Sequence, residues 1–424
     1  RLQRFAVCQP DGGLPRVLRL ASARSLHPLP RAKGNRQAPG GHSRQALLAN
    51  YLEMCSQNYP TQIDIARKLS QMYGASFGSS VDRRGNYQLI NFSIDYIESK
   101  YLAGNEDLLS EVIEFLKEII FNPLRVGENK NFDEETFTRQ KNNTITYLKS
   151  IKEDKQAYAA AKLRKLYFDN EIQQVPSFGE SEDVEKLTIS DVMDAYQKML
   201  NTDRVEVMIS GDVNTDEVVN KFSVLPFKVR NISRASMSYT QEIKQEIVTQ
   251  IDEEPLSQSK FDMAFRLPVV YRGDLHYAAL VFNSLFGGSA LSLLFTVVRE
   301  KMSMAYYANS NFDPFRQLLV VQTGISYTNK DKVQELILEQ LERLRKGDFE
   351  DELLEQNKNN LISSYISRLD SQTSALLRAQ SAALTGINVT VEEWLDNLQS
   401  VTKDDVMKVA KMVELQATYM LGTN

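Results

Sequence analysis

The chain reads as an α+β protein of two tandem homologous domains, each a mostly antiparallel sheet covered by helices, and three observations predict this. The first is internal repetition. Phe132-Asp-Glu-Glu, Lys141-Asn142-Asn143 and Ile145 return as Phe349-Glu-Asp-Glu, Lys358-Asn359-Asn360 and Ile362, at 349 − 132 = 217 residues. Leu187-Thr188-Ile189-Ser190-Asp191-Val192-Met193 returns as Val401-Thr402-Lys403-Asp404-Asp405-Val406-Met407, at 401 − 187 = 214. Similarity at a near-constant spacing marks a duplicated unit. The second is length, since 424 residues hold two domains of about 200 residues each. The third is that each copy runs through helix, strands, helices and a closing strand in the same order.

In the first copy, Ala46 to Cys55 and Ile63 to Tyr73 fit helices, and Tyr87 to Ile97 fits a strand whose alternation is loose. Leu108 to Ile120 has apolar residues at helical spacing, and Asp133 to Asp169 is a long helical region rich in Lys, Gln and Ala. Val205 to Gly211 is a strand closed by glycine. The second copy offers Lys260 to Leu267 and Leu318 to Tyr327 as strands, and Leu275 to Phe286, Ser289 to Met302 and Asp331 to Arg345 as helices. Residues 226–256, with Pro226, Pro255 and many polar residues, read as a linker. The expected domains are therefore 45–225 and 257–424, each sheet covered on one face.

Composition excludes several classes. A hydrophobic share of 42% and a charged share of 25% are those of a soluble globular protein. No apolar run approaches the roughly 18 residues a membrane helix needs. Cys8 and Cys55 give no disulfide framework, which, with no hydrophobic signal region, points to a reducing, cytoplasmic setting. Residues 1–44 carry eight Arg and Lys33 against Asp11, so +8 there leaves −5 − 8 = −13 on the rest. An acidic body of this kind is not a nucleic-acid surface. The basic leader, rich in Pro, Gly, Arg and Ser, shows no helical or strand period. It is expected to be a disordered tail or a non-native start in preference to a transit-like peptide.

Phe286-Gly287-Gly288-Ser289-Ala290-Leu291-Ser292-Leu293-Leu294-Phe295 runs on to Arg299-Glu300-Lys301 and Ala305-Tyr306. These words, in this order, resemble the pitrilysin and insulinase family of inverted zinc peptidases, which includes the mitochondrial processing peptidases; the resemblance covers roughly residues 45 to 424. It implies the inverzincin fold, in which a first-domain helix carries H-x-x-E-H, two His binding zinc and the Glu activating water. The segment Ala46 to Cys55 fits that helix but reads Asn50-Tyr51-Leu52-Glu53-Met54. The family also begins with strands ahead of that helix, and the leader offers nothing that reads as those strands.

Catalytic zinc needs three protein ligands and an open position. The third family ligand comes from an E-x6-E pair, whose places fall on Gln140 and Tyr147. All three ligand positions, Asn50, Met54 and Tyr147, are thus substituted. His27 and His42 lie in the leader and His276 in the second copy, so no two histidines stand four apart. Glu53 keeps the general-base place, but a base without a metal has no activated water to work on. Its plainer reading is a partly buried polar residue on an amphipathic helix. The expectation is no zinc, no cofactor and no catalysis.

In catalytic relatives an Arg and a Tyr placed like Arg299 and Tyr306 reach toward the zinc from another domain. There the hydroxyl donates to the developing oxyanion and the guanidinium holds substrate carbonyls. The competing reading makes Arg299 a helix terminus and Ala305-Tyr306-Tyr307 a strand start with aromatic packing. Gly287 and Gly288 are either a substrate-facing loop or a helix break before an N-cap at Ser289. They lack the basic residue and strand context of a phosphate loop.

The resemblance implies a catalytically silent subunit that pairs, as a heterodimer, with a zinc-bearing homologue and handles a peptide or protein substrate held by strand addition. Leu48-Ala49-Asn50, Asn58-Tyr59-Pro60-Thr61 and Met72-Tyr73-Gly74-Ala75 look like a bacterial branch of paired proteins linked by name to the 5-aminopentanol modification of elongation factor P. The alternative from a different class is a structural or assembly protein with no peptide substrate. A lone peptidase with another metal geometry is disfavoured by the missing histidines.

Overall fold

The computed structural model describes residues 5–8, 16–25, 40–104, 106–128, 130–227 and 236–423, with backbone alone for 5–8 and 16–25. In the first copy the chain forms β1 (Phe5–Cys8), β2 (Arg16–Ser25), α1 (Gly41–Met54), α2 (Gln62–Gln71), β3 (Ser76–Arg84), β4 (Tyr87–Tyr96) and α3 (Leu108–Phe121). It continues through the short ribbon β5 (Arg125–Val126) and β6 (Asn131–Phe132), then α4 (Glu134–Ser150), α5 (Lys155–Tyr167), α6 (Glu171–Gln174), α7 (Ser181–Lys186), α8 (Ile189–Asn201), β7 (Arg204–Ser210) and α9 (Thr215–Phe222). The second copy comprises β8 (Val248–Asp252), β9 (Ser259–Arg266), α10 (His276–Asn283), β10 (Ala305–Asp313), β11 (Leu318–Ile325), α11 (Lys330–Lys346), α12 (Asp351–Ser367), α13 (Gln372–Thr385), α14 (Val391–Gln399), α15 (Lys403–Lys411) and β12 (Glu414–Leu421).

Two units result. The first comprises Arg1–Lys149, Pro176–Ala235 and Leu369–Ile387; the second comprises Ser150–Val175, Ser236–Arg368 and Asn388–Asn424. The first sheet runs β1-β7-β2-β4-β3 and the second β8-β12-β9-β11-β10. β1 is parallel to β7 and β8 to β12, and every other pair is antiparallel. The duplication is thus exact at the level of topology.

The repeated words have a physical content. Thr188 and Asp191 form a capping box on α8, and Thr402 and Asp405 form the same box on α15, each satisfying N–H groups a helix start leaves unpaired. Lys141 Nζ donates to Leu187 O at 2.8 Å and Lys358 Nζ to Val401 O at 3.2 Å. One tertiary contact has been kept in both copies. On α1, Leu47, Leu48 and Leu52 are fully buried, each stabilising the fold by about 1.5–3 kcal/mol.

Several expectations are corrected. The leader was expected to be irregular and the first sheet incomplete, yet β1 and β2 complete it, β2 pairing with β4 and β7 over Arg16–Ser25. A ten-residue strand between two neighbours is set by its ladder, and composition averaged over 44 residues conceals it. The rest of the leader, including His27, lies outside the described residues, as does the Cys8 side chain. His42 sits in α1, buried, with Nε2 2.5 Å from Arg83 Nη2. The expected linker contains β8, and Tyr239 within it is a core residue. The long helical region splits at residues 151–154, where Asp154 caps α5 by accepting from Gln156 and Ala157 N–H.

That split matters for domain boundaries, which differ from 45–225 and 257–424. Helix α5 belongs to the second unit, where Ala159, Leu163, Tyr167 and Phe168 pack with Ala264, Ala417 and Tyr419. Its counterpart α13, at 372 − 155 = 217, belongs to the first unit, where Leu376 and Ala383 pack on Met208. Each unit therefore takes one covering helix from the other copy of the repeat. Helix α13 explains why β4 alternates only loosely. Gln380 Nε2 donates to Asn91 Oδ1 at 2.8 Å on that side, α1 packs on the sheet, and a strand covered on both faces loses its polar face.

Candidate functional site: a metal frame without ligands

In the first unit two hydrogen bonds link Asn50 on α1 to Gln140 on α4. Asn50 Nδ2 donates to Thr144 Oγ1 at 3.0 Å, and Thr144 Oγ1 donates to Gln140 O at 2.8 Å, one turn back. Gln140 is buried. Tyr147, one turn further along α4, is 59% exposed with its ring 6.4 Å from Phe178. Met54 is half-buried at the end of α1. Cys55 is buried, and burial pushes its thiol up to about 11, so the free thiol stays protonated at neutral pH. His42 is eight residues before Asn50 on one helix, about 12 Å along the axis, too far to act with it.

Glu53 has a specific task. Its Oε2 accepts from Ser79 N at 2.9 Å and from Ser79 Oγ at 2.6 Å. Ser79 is on β3, the edge of the sheet, so the carboxylate caps an N–H that no strand satisfies. The second copy has a related contact through a hydroxyl. Met72-Tyr73-Gly74-Ala75 corresponds to Met302-Ser303-Met304-Ala305 at 302 − 72 = 230, which puts Asn283 in the place of Glu53. Asn283 Oδ1 accepts from Ser310 Oγ on the edge strand β10 at 2.8 Å.

The family's metal does not fit these residues. An amide committed to Thr144, a thioether and an exposed phenol replace imidazoles and a carboxylate, and such a set is weak for zinc. Among the described residues no group of three or more His, Cys, Asp or Glu is arranged to hold a metal ion.

In the second unit, α10 passes into π-helical turns at Ser284–Gly288, and Leu294–Lys301 is π-helical as well. Wider turns of this kind recur at functional sites, and periodicity alone gives no sign of them. Arg299, at the end of the second, lies 4.5 Å above the Phe295 ring with Nε 3.4 Å from Glu300 Oε1. Both partners are its own neighbours, so the guanidinium is held in place yet half-exposed. Tyr306 is the extra residue of a β-bulge, since Ala305 pairs with Ile325 and Tyr307 with Gly324. The bulge re-aims its side chain, which is 61% exposed. A Cβ on Gly287 would lie 2.7 Å from Ser310 N, and one on Gly288 2.6 Å from Asn283 Nδ2. Close packing around the edge clamp accounts for both glycines.

Asp262 was not singled out by the sequence. It is fully buried on β9, where Gln322 Nε2 lies 3.4 Å from Oδ2, and burial pushes its carboxyl up to about 7.

The peptidase M16 inactive domain matches residues 186–361. A solved structure described as a conserved protein from Enterococcus faecalis V583 is 36% identical with a TM-score of 0.91, covering 99% of this chain and 96% of that one. The "probable inactive metalloprotease YmfF" of Bacillus subtilis is 28% identical over 383 residues, 89% of this chain and 88% of the relative. The chain belongs to the peptidase M16 family. It is one of the inactive M16 homologues, a non-catalytic protein with the α+β architecture of the family. A further B. subtilis relative, the "uncharacterized zinc protease YmxG", is 21% identical over 295 residues, 67% of this chain and 69% of that one. No helix of the described residues is long and apolar enough to cross a membrane.

Proposed function

We propose that this M16 homologue is the non-catalytic half of a two-chain, cytoplasmic peptide-handling assembly whose other half is a zinc-bearing M16 homologue. The observation that carries the reading is the contrast between its two units. At the positions matched to the relatives' zinc ligands, Asn50 is tied to Thr144 by a hydrogen bond, Met54 is a half-buried thioether and Tyr147 packs its exposed ring on Phe178. Arg299 and Tyr306, which handle substrate in catalytic relatives, remain exposed, one held by its own neighbours and the other turned out by a bulge. One bacterium carrying both an inactive relative and a zinc-protease relative of this chain supports the pairing. Edge strand β3 is the proposed docking strand, with the Ser79 N–H already taken by Glu53. A role in elongation factor P modification belongs to this proposal and rests on the short words around Asn50, Asn58 and Met72.

The test is reconstitution with a zinc-bearing M16 homologue from the same genome, with metal content and peptide cleavage read for each chain alone and for the mixture. The proposal expects cleavage in the pair and zinc in the partner. Arg299→Ala with Tyr306→Phe is expected to lower the pair's rate by about 10² or more, the loss of an oxyanion donor, without changing the melting temperature. Failure to pair would favour the assembly-protein reading, and an unchanged rate would remove the role in trans.

A further inference from the structure

A cavity of about 480 Å³ in the first unit, at the start of β3 and the end of β4, is lined by Tyr73, Ser76, Asp95, Tyr96, Ile97 and Tyr101. Three tyrosines and a carboxylate face one space. Tyr73 is reached by a strained backbone, with φ 58° at the end of α2. The left-handed conformation costs a residue with a Cβ roughly 1–2 kcal/mol, and helices ordinarily reserve it for glycine or asparagine. The same turn in the second copy is made by Ser303, φ 52°, at 303 − 73 = 230. The helix end dictates the conformation and does not call for an aromatic ring.

The ring is nevertheless held in position. Tyr73 OH donates to Glu106 Oε1 at 2.7 Å, and both Tyr73 and Tyr101 are about half-exposed. Asp95 is exposed and accepts a long hydrogen bond from Ser76 Oγ at 3.3 Å. Aromatic faces carry negative potential and attract a cation lying over them. Lys100 already uses this, its Nζ 5.1 Å from the Tyr101 centroid while paired to Asp212 and Glu98. A guanidinium suits such a site better than an ammonium, because it is flat enough to stack on a phenol and presents a fork to a carboxylate.

We propose that this cavity takes the arginine side chain of an extended peptide, with Asp95 as its carboxylate partner and Tyr73 and Tyr101 as its flanking faces. The inference deepens the function proposed above by naming a residue that the peptide carries, and it rests on that reading for the peptide alone. Affinity for a guanidinium is a property of this chain by itself.

The test uses the full chain with ¹³C-labelled tyrosine, titrated with N-acetylarginine amide and with the uncharged N-acetylcitrulline amide and the ammonium N-acetyllysine amide. Saturable shifts on a few tyrosine resonances are expected with arginine, weaker ones with lysine and none with citrulline. Asp95→Asn and Tyr101→Ala are expected to weaken arginine binding by about 2- to 30-fold each. Tyr73→Gly should weaken it similarly while the melting temperature holds or rises, because glycine relieves the strain. Equal response to citrulline, equal response to lysine, no saturable shift, or undiminished binding by the variants would each overturn the proposal. Should the chain fail to pair in reconstitution yet give these shifts, the chamber reading falls and the arginine pocket stands.

Discussion

The two sheets share one strand order and one kind of exchanged covering helix, but they treat charge on the helix-covered face in opposite ways. In the first unit Arg204 Nε donates to Glu206 Oε1 at 2.5 Å and its Nη2 to Ala383 O of α13 at 2.6 Å, with both side chains buried. In the second, Asp262 is buried with an amide neighbour, and its carboxyl is pushed up to about 7. Duplication preserved topology, caps and edge clamps, whereas the buried charges were solved separately in each copy. The comparison also bears on Glu53. Asn283 reaches the edge strand of the second copy through the Ser310 hydroxyl, as Glu53 reaches that of the first through Ser79, so Glu53 has a structural task that needs no metal.

The largest expected effect is on the buried pair. Glu206→Ala leaves a buried guanidinium short of its anion and should cost about 3–5 kcal/mol, read as a drop in denaturation midpoint; a loss under 1 kcal/mol would contradict the pairing described. Next comes Gly287→Ala, whose Cβ would meet the Ser310 backbone and should cost about 1–3 kcal/mol by overpacking. A loop merely facing substrate would tolerate it.

The clamps come third. Glu53→Ala should cost about 1–3 kcal/mol by leaving Ser79 N–H without its acceptor, with faster hydrogen exchange confined to β3. Asn283→Ala should cost less, since its bond is to the Ser310 hydroxyl and between neutral groups. Equal and negligible effects would remove the equivalence between them.

The smallest effect depends on pH. The folded Asp262 carboxyl titrates near 7 against about 4 when unfolded. Between those values the folded state keeps a proton that the unfolded state has released, so its contribution to stability falls as pH rises from about 4 to about 7. Asp262→Asn removes this, and the variant's melting temperature should gain on the wild type from pH 5 to pH 8. His276, held near 4 by burial and by Arg272, has the opposite slope below about 6.5, but it is common to both proteins and cancels. A pH-independent difference would show that Asp262 does not titrate as described.

Much of this was legible in the sequence. The repeated Lys-Asn-Asn and Thr-x-x-Asp words gave the duplication because they encode one contact and one cap. Strand β2 was not legible, because its basic, proline-flanked surroundings mask a segment that its neighbours hold in place. Nor was the exchange of α5 and α13, since periodicity reports that a segment is helical but not which sheet it covers. The clamp on Ser79 needed two residues 26 apart to be seen together, and Tyr73 was quoted as part of a word without any sign of its backbone strain.

The central claim is that the metal frame persists while its ligands are gone. Zinc content of the purified wild-type chain, set beside a variant carrying Asn50→His, Met54→His and Tyr147→Glu, tests it most directly. The account predicts zinc far below one equivalent in the wild type and close to one in the variant, with both folded. Stoichiometric zinc in the wild type, or none in a folded variant, would contradict it.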